Sequence, residues 1–88
     1  MTPGFATAIH AIGVELDGAV VVVDMRDGGC LALNGAAALI WRGFERELGP
    51  DEIARDLASH FGIDGARAAA DVASLVADLK ARGLLNQR

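Results

Sequence analysis

Residue types that could do covalent or metal chemistry are few in this chain of 88 residues. Cys30 is its single thiol, and His10 and His60 are its only imidazoles. The two histidines lie far apart, neither has a histidine or cysteine three or four positions on, and one cysteine cannot complete a zinc set. Cys30 with a distant histidine could in principle form a nucleophile pair, but no local signature accompanies it. His60 fits a surface position near the C-terminal end of a helix, where the dipole tolerates positive charge. Gly28-Gly29 reads as a turn rather than a phosphate loop, because no lysine follows and no helix starts there. Asp51-Glu52 and Asp71/Asp78 are accounted for by a helix first turn and a solvated helix face, not by paired-carboxylate catalysis. The expectation is a protein that is not an enzyme, with no catalytic residue, no metal and no cofactor.

The elements that would position these residues divide into strands, then helices. Ala8–Leu16 can form a first strand, with Gly13 as its weak point. Asp17-Gly18 is a two-residue hairpin signal, followed by the β-branched run Ala19–Asp24. Asp27-Gly28-Gly29 turns the chain into a third strand, Cys30–Leu33, and the meander leaves that strand at an edge. Residues 1–7 are expected to fray, with an ordered core over about 8–85 of a single domain, 1–88. A small domain with an unpaired edge must guard it or use it to accept a foreign peptide; the second is the reading adopted.

Asn34 is a candidate N-cap for a helix reaching about Glu45, with Leu39, Ile40, Trp41 and Phe44 on its apolar face and Trp41 as a core anchor. Pro50 suits the first position of a second helix. There Ile53, Leu57 and Phe61 repeat every fourth residue, giving a core stripe, and Gly62 supplies the stop. Asp64 caps a third helix that runs to about Arg82 and stops at Gly83. Three stripes divide it. Val72, Leu75, Val76 and Leu79 are bulky and belong in the core. Arg67, Asp71, Ser74, Asp78 and Arg82 are polar. Ala66, Ala69, Ala70, Ala73 and Ala77 are small, and either floor a groove or reflect the free use of a good helix former.

Composition bounds the partners. Just over half of the residues are hydrophobic, at 52%, and 23% are charged, as in an ordinary globular fold. A formal net charge of −4 with only eight scattered basic residues disfavours nucleic acid. The longest apolar run, Ala19–Val23, is far too short for a bilayer, and a lone cysteine suits a reducing compartment, so the expected location is cytoplasmic with no membrane partner.

Val20-Val21-Val22-Val23-Asp24, Gly28, Leu33-Asn34, Ala37 and Ile40-Trp41, followed by Glu52-Ile53-Ala54, Leu57, Phe61-Gly62-Ile63-Asp64, Asp71-Val72, Leu75, Leu79 and Gly83-Leu84-Leu85, resemble the PqqD family in order and spacing. The resemblance covers about residues 14–85. It implies an α+β, winged helix-turn-helix-like fold with a three-stranded antiparallel sheet followed by three helices. Such adaptors, also called RiPP precursor peptide recognition elements, bind the leader segment of a ribosomally made precursor and present it to a modifying enzyme. The implied partners are therefore a leader peptide and an enzyme such as a leader peptidase, cyclase or radical-SAM enzyme, in a lasso-type or similar pathway. The leader would add as a strand beside the third strand, in the cleft against the third helix. Candidate contacts are Cys30, Leu31, Ala32 and Leu33 on the strand and Arg67, Ala70, Asp71, Ser74, Ala77 and Asp78 on the helix. Alternation puts Leu31 and Leu33 on the core side and Cys30 and Ala32 on the other. The chain departs from the family's large, often aromatic residues at the positions of Cys30 and Leu31. A homodimer through the same edge, a winged-helix DNA-binding module and a structural subunit of a modifying enzyme are the competing readings.

Overall fold

The computed structural model describes residues 4–88. Asp17 and Gly18 both take positive φ, 51° and 81°, which a two-residue hairpin turn requires and which matches the twist of the flanking strands. That turn joins β2 (Ala11–Leu16) to β3 (Ala19–Asp24), with Leu16 opposite Ala19. After the Asp27-Gly28-Gly29 turn, in which Asp27 Oδ1 accepts the Gly29 amide, β4 (Cys30–Leu33) pairs antiparallel with β3 from Cys30↔Val23 to Leu33↔Val20. The order β2-β3-β4 makes β3 central and leaves β2 and β4 as edges.

Three helices cover one face: α1 (Ala36–Glu45), α2 (Pro50–Phe61) and α3 (Gly65–Ala81). Pro50 opens α2, Gly62 closes it at φ 63°, and Asp64 Oδ1 accepts the Ala66 amide to cap α3, all as the sequence predicts. Trp41, Ile40 and Phe44 from α1, Ile53 and Leu57 from α2, and Val72 and Leu79 from α3 are buried against Val20, Val22 and Leu33 of the sheet.

Four expectations are corrected. The start of the chain is not frayed over the described part: β1 (Phe5–Thr7) pairs with β5 (Leu85–Gln87), and the Phe5 ring meets Phe44 edge-on at 5.7 Å. Residues 1–3 lie outside the described residues. A ribbon of three-residue strands joining the two chain ends carries no alternation to read and depends wholly on long-range pairing. Ala8 is buried but precedes β2, because the Ala11 amide bonds back to the Ala8 carbonyl at 3.0 Å. Asn34 is not the cap of α1. Gly35 holds that position at φ 55°, a backbone turn that side-chain-bearing residues resist, and no side chain caps the helix. Phe61 is exposed rather than core, since the chain leaves α2 at Gly62 beside it.

Candidate functional site

Hydrogen-bond alternation decides what the β4 edge offers. The Asp24 amide donates to the Gly29 carbonyl at 2.8 Å, so Val22 and Val20, two and four residues earlier, also bond across to Leu31 and Leu33. Cys30 and Ala32 consequently turn their N–H and C=O groups away from β3. Among the described residues no strand pairs with them. The side chains alternate the other way: Leu33 is buried, Leu31 half-buried on the helix side, and Cys30 and Ala32 are exposed on the opposite face.

Beyond that edge stands α3. Two open hollows run between it and the β4–α1 segment. The first, of about 260 Å³, has Leu31, Cys30 and Leu84 with Arg82 and Arg26 at its walls. The second, of about 340 Å³, lies between Ala36, Ala37 and Ile40 of α1 and Asp71, Ser74, Leu75 and Asp78 of α3. Arg82 is thus at the Leu31 end and Asp71 at the α1 end, so α3 runs antiparallel to the chain leaving β4. The wall's charges are already paired along the helix, Asp71 with Arg67 at 3.4 Å and Asp78 with Arg82 at 3.1 Å. At the Leu31 end, Arg26 donates to both Asp24 oxygens and, through Nη2, to the Arg82 carbonyl at 3.0 Å. The Arg26 side-chain hydrogen bond, with help from its amide, lowers the Asp24 carboxyl to about 2.

A family model, coenzyme PQQ synthesis protein D (PqqD), matches residues 19–85. The chain belongs to the PqqD family. Two solved structures share this PqqD fold. TbiB1, in complex with the TbiA(beta) leader peptide, has a TM-score of 0.86 at 20% identity, covering 91% of this chain and 93% of that one. A lasso peptide synthetase B1, complexed with the leader peptide, has a TM-score of 0.84 at 30% identity, covering 92% of this chain and 95% of that one. No match was found among curated proteins.

Within this PqqD fold five of the ten sequence-predicted positions line the two hollows. Asp71, Ser74 and Asp78 line one hollow, Leu31 and the edge of Cys30 line the other, and Leu33 lies in the core between strand and helix. Arg67 reaches the wall only through its ion pair with Asp71. Ala70 is exposed and lines neither hollow, because at 100° per residue it points opposite the buried Ala68, Val72 and Leu79. Ala77 is on the other flank. With Ala69 and Ala73 it lines a separate groove against Phe5, Pro50 and Ala54, so the alanine stripe does not floor the β4 cleft. Leu75, Ala36, Ala37, Ile40, Arg26 and Leu84 line the cleft without having been singled out for it. Leu75, Ala37 and Ile40 were visible as apolar helix positions, but only the fold shows that Leu75 and Ala37 stay half-buried while Ile40 is buried at the hollow's base.

A more voluminous hollow than these two lies elsewhere, about 680 Å³ between α1 and α2 with Arg42, Ser59 and His60 at its lining. Arg42 is paired with Glu15, and the His60 ring meets Phe61 edge-on at 4.9 Å. Among the described residues there is no cluster of metal-ligating side chains, and no helix is long and apolar enough to cross a membrane.

Proposed function

We propose that this protein is a leader-peptide adaptor: it binds the leader of a ribosomally made precursor by strand addition to β4 and hands it to a modifying enzyme without itself catalysing a step. The observation that carries this reading is the open β4 edge, with the Cys30 and Ala32 backbone groups facing a groove walled by α3. Membership of the PqqD family supports it, as does the likeness to B1 proteins solved with leader peptides. The lasso peptide synthetase B1 at 30% identity favours a lasso-type pathway over the other enzymes such adaptors serve. A cytoplasmic location fits the exposed free thiol of Cys30.

Magnitudes say how the affinity is shared. The N–H and C=O groups of Cys30 and Ala32 can make four backbone hydrogen bonds, worth about 2–6 kcal/mol net at 0.5–1.5 each. A micromolar complex needs about 8 kcal/mol, and ordering a flexible leader costs a few more. The remainder comes from apolar leader side chains. Alternate residues of an added strand point toward Leu31, Leu84, Leu75 and Ile40, and each buried Val- or Leu-sized side chain adds about 1.5–3 kcal/mol. Asp71, Ser74 and Asp78 would orient basic or amide groups of the leader by exchanging weak intrahelical pairs for intermolecular ones. A dimer formed through β4 would occupy the same edge and compete with the leader.

The test is a titration of fluorescently labelled leader peptide against wild-type protein and Ala32→Pro. Proline removes an outward N–H and puts its ring into the edge. Binding should be lost while far-UV circular dichroism and melting stay near wild type. Full leader affinity in a folded Ala32→Pro protein would overturn the reading.

A further inference from the structure

The sheet face turned away from the helices is apolar from edge to edge. Cross-strand partners share a face, so the register groups Ile12, Val14 and Leu16 of β2 with Val21 and Val23 of β3. Cys30 and Ala32 continue the same face onto β4. No charged or polar side chain interrupts it, although the solvated face of an antiparallel sheet normally alternates to polar residues. Ile12, Val14 and Leu16 are 47%, 43% and 56% exposed. Ile9 and Met25, 97% and 64% exposed, stand at one end, where the Met25 amide bonds the His10 carbonyl. Three of the six large hydrophobic side chains exposed among the described residues therefore belong to this face, and two more lie in the turns at its end. The four-valine run of β3 has the composition of a strand covered on both faces, yet here only one is covered.

We propose that this outer face is where the peptide-modifying enzyme docks, seated across the sheet and the added leader strand together. The inference rests on the adaptor reading. Three observations choose this occupant. The face runs without a break to the edge where the leader adds, so a bound leader becomes its next strand. Two strands of about 20 Å and one of about 13 Å, spaced about 4.8 Å apart, give a projected patch of about 260 Å². That is about a third of the ~800 Å² per partner in a stable interface, too little for a lasting homodimer but suited to one sector of a ternary contact. Charge also argues against a second copy. The turns at the two ends of the face carry Asp17 and Asp27, so any two-fold stacking sets acidic turns against acidic turns. A partner with an apolar centre and a Lys/Arg rim meets both features.

The experiment uses a purified leader peptidase of the lasso-type pathway and the labelled leader peptide, with wild-type protein, Val14→Lys and Leu16→Lys. Enzyme affinity is read by biolayer interferometry with and without leader, and leader affinity by fluorescence anisotropy on the same samples. Two variants are used so that a folding failure in one, seen by circular dichroism, leaves the other. The expected result is at least tenfold weaker enzyme binding with leader affinity within twofold of wild type, and tighter enzyme binding when leader is present. Enzyme affinity within twofold of wild type in a folded variant overturns the proposal while leaving the adaptor reading intact. Failure of the wild-type protein to bind leader overturns the adaptor reading instead. A wild-type dimer in sedimentation velocity that Val14→Lys converts to monomer gives the face to a second copy, and also overturns it.

Discussion

The three-stranded sheet has two edges, and they are built to opposite ends. On β2 the first outward amide, that of Ala11, is taken by the Ala8 carbonyl of the preceding turn. Further along, Glu15 sits on the helix side of the strand and is tied to Arg42 of α1, and an inward-facing charge is one of the devices by which natural sheets discourage a further strand. On β4 none of this is present. Cys30, Leu31, Ala32 and Leu33 include no charge and no proline, two residues present free backbone groups, and α3 stands alongside as a second wall. An unguarded edge is an aggregation hazard, so its retention beside a guarded one points to use.

The sharpest way to break the comparison is to put proline on each edge in turn. Ala32→Pro should weaken leader binding by about 100-fold or more, since at least one strand hydrogen bond and the seating of the neighbouring leader side chain go together. Glu15→Pro, whose amide also faces outward, should leave leader affinity within about twofold, because β2 is two strands away. Anisotropy titrations of both proteins check this, and equal losses would remove the asymmetry between the edges.

A second variant separates packing from binding on β2. A Cβ on Gly13 would fall 2.6 Å from Trp41 Nε1 and 2.9 Å from Glu45 Oε2, and Trp41 is fully buried. Gly13→Ala should therefore destabilise the fold by about 1–3 kcal/mol through overpacking, seen as a lower urea midpoint, with leader affinity unchanged at temperatures where the protein is folded. A neutral effect would mean the indole has room to retreat.

That glycine also marks where the sequence was legible and where it was not. As a sequence feature Gly13 weakens a strand; in the fold it is the one residue that fits between β2 and the Trp41 ring. Local signals carried well: Asp17-Gly18, Pro50, Gly62 and Asp64 each specify a backbone geometry that the structure adopts. The β1–β5 ribbon, set by distant partners, did not carry, and among local signals the α1 cap falls on Gly35 rather than on the adjacent polar Asn34. The polar stripe of α3 was readable from helical period, and Asp71, Ser74 and Asp78 do line one hollow. Period alone cannot say which flank of a helix faces which neighbour, so it does not reveal that Ala77 lines the groove against Pro50 and Ala54 rather than the β4 cleft.

Removing the guard tests the comparison from the other side. Glu15→Val deletes an exposed ion pair, which is worth at most about 1 kcal/mol, and adds β propensity at an edge. The melting temperature should move little. Self-association should rise, read as a concentration-dependent increase in sedimentation coefficient that the wild type lacks. No increase would show that the Ala8–His10 turn alone suffices to protect β2.

The smallest effect expected concerns how the open edge is held against its helical wall. Arg26 joins the β3–β4 turn to the end of α3 by bonding Asp24 and the Arg82 carbonyl together, fixing one end of the groove. The Asp24 carboxyl is lowered to about 2 from an ordinary 3.8, chiefly by the Arg26 side-chain bond. A group whose folded pKa is depressed adds stability that is complete above its unfolded pKa and is lost as pH falls through the folded value. The Asp24 contribution should thus be full above about pH 4 and fade between there and pH 2. Asp24→Asn lacks that titration, so the difference in melting temperature between the two proteins should be constant from pH 7 to 5 and shrink below pH 4. The site is open to solvent and the effect correspondingly small, which makes leader affinity the more telling readout. If Arg26 sets the width of the groove mouth, Arg26→Met should weaken leader binding a few-fold at pH 7, whereas Glu15→Gln, which loosens the matching arginine pair on β2, should not.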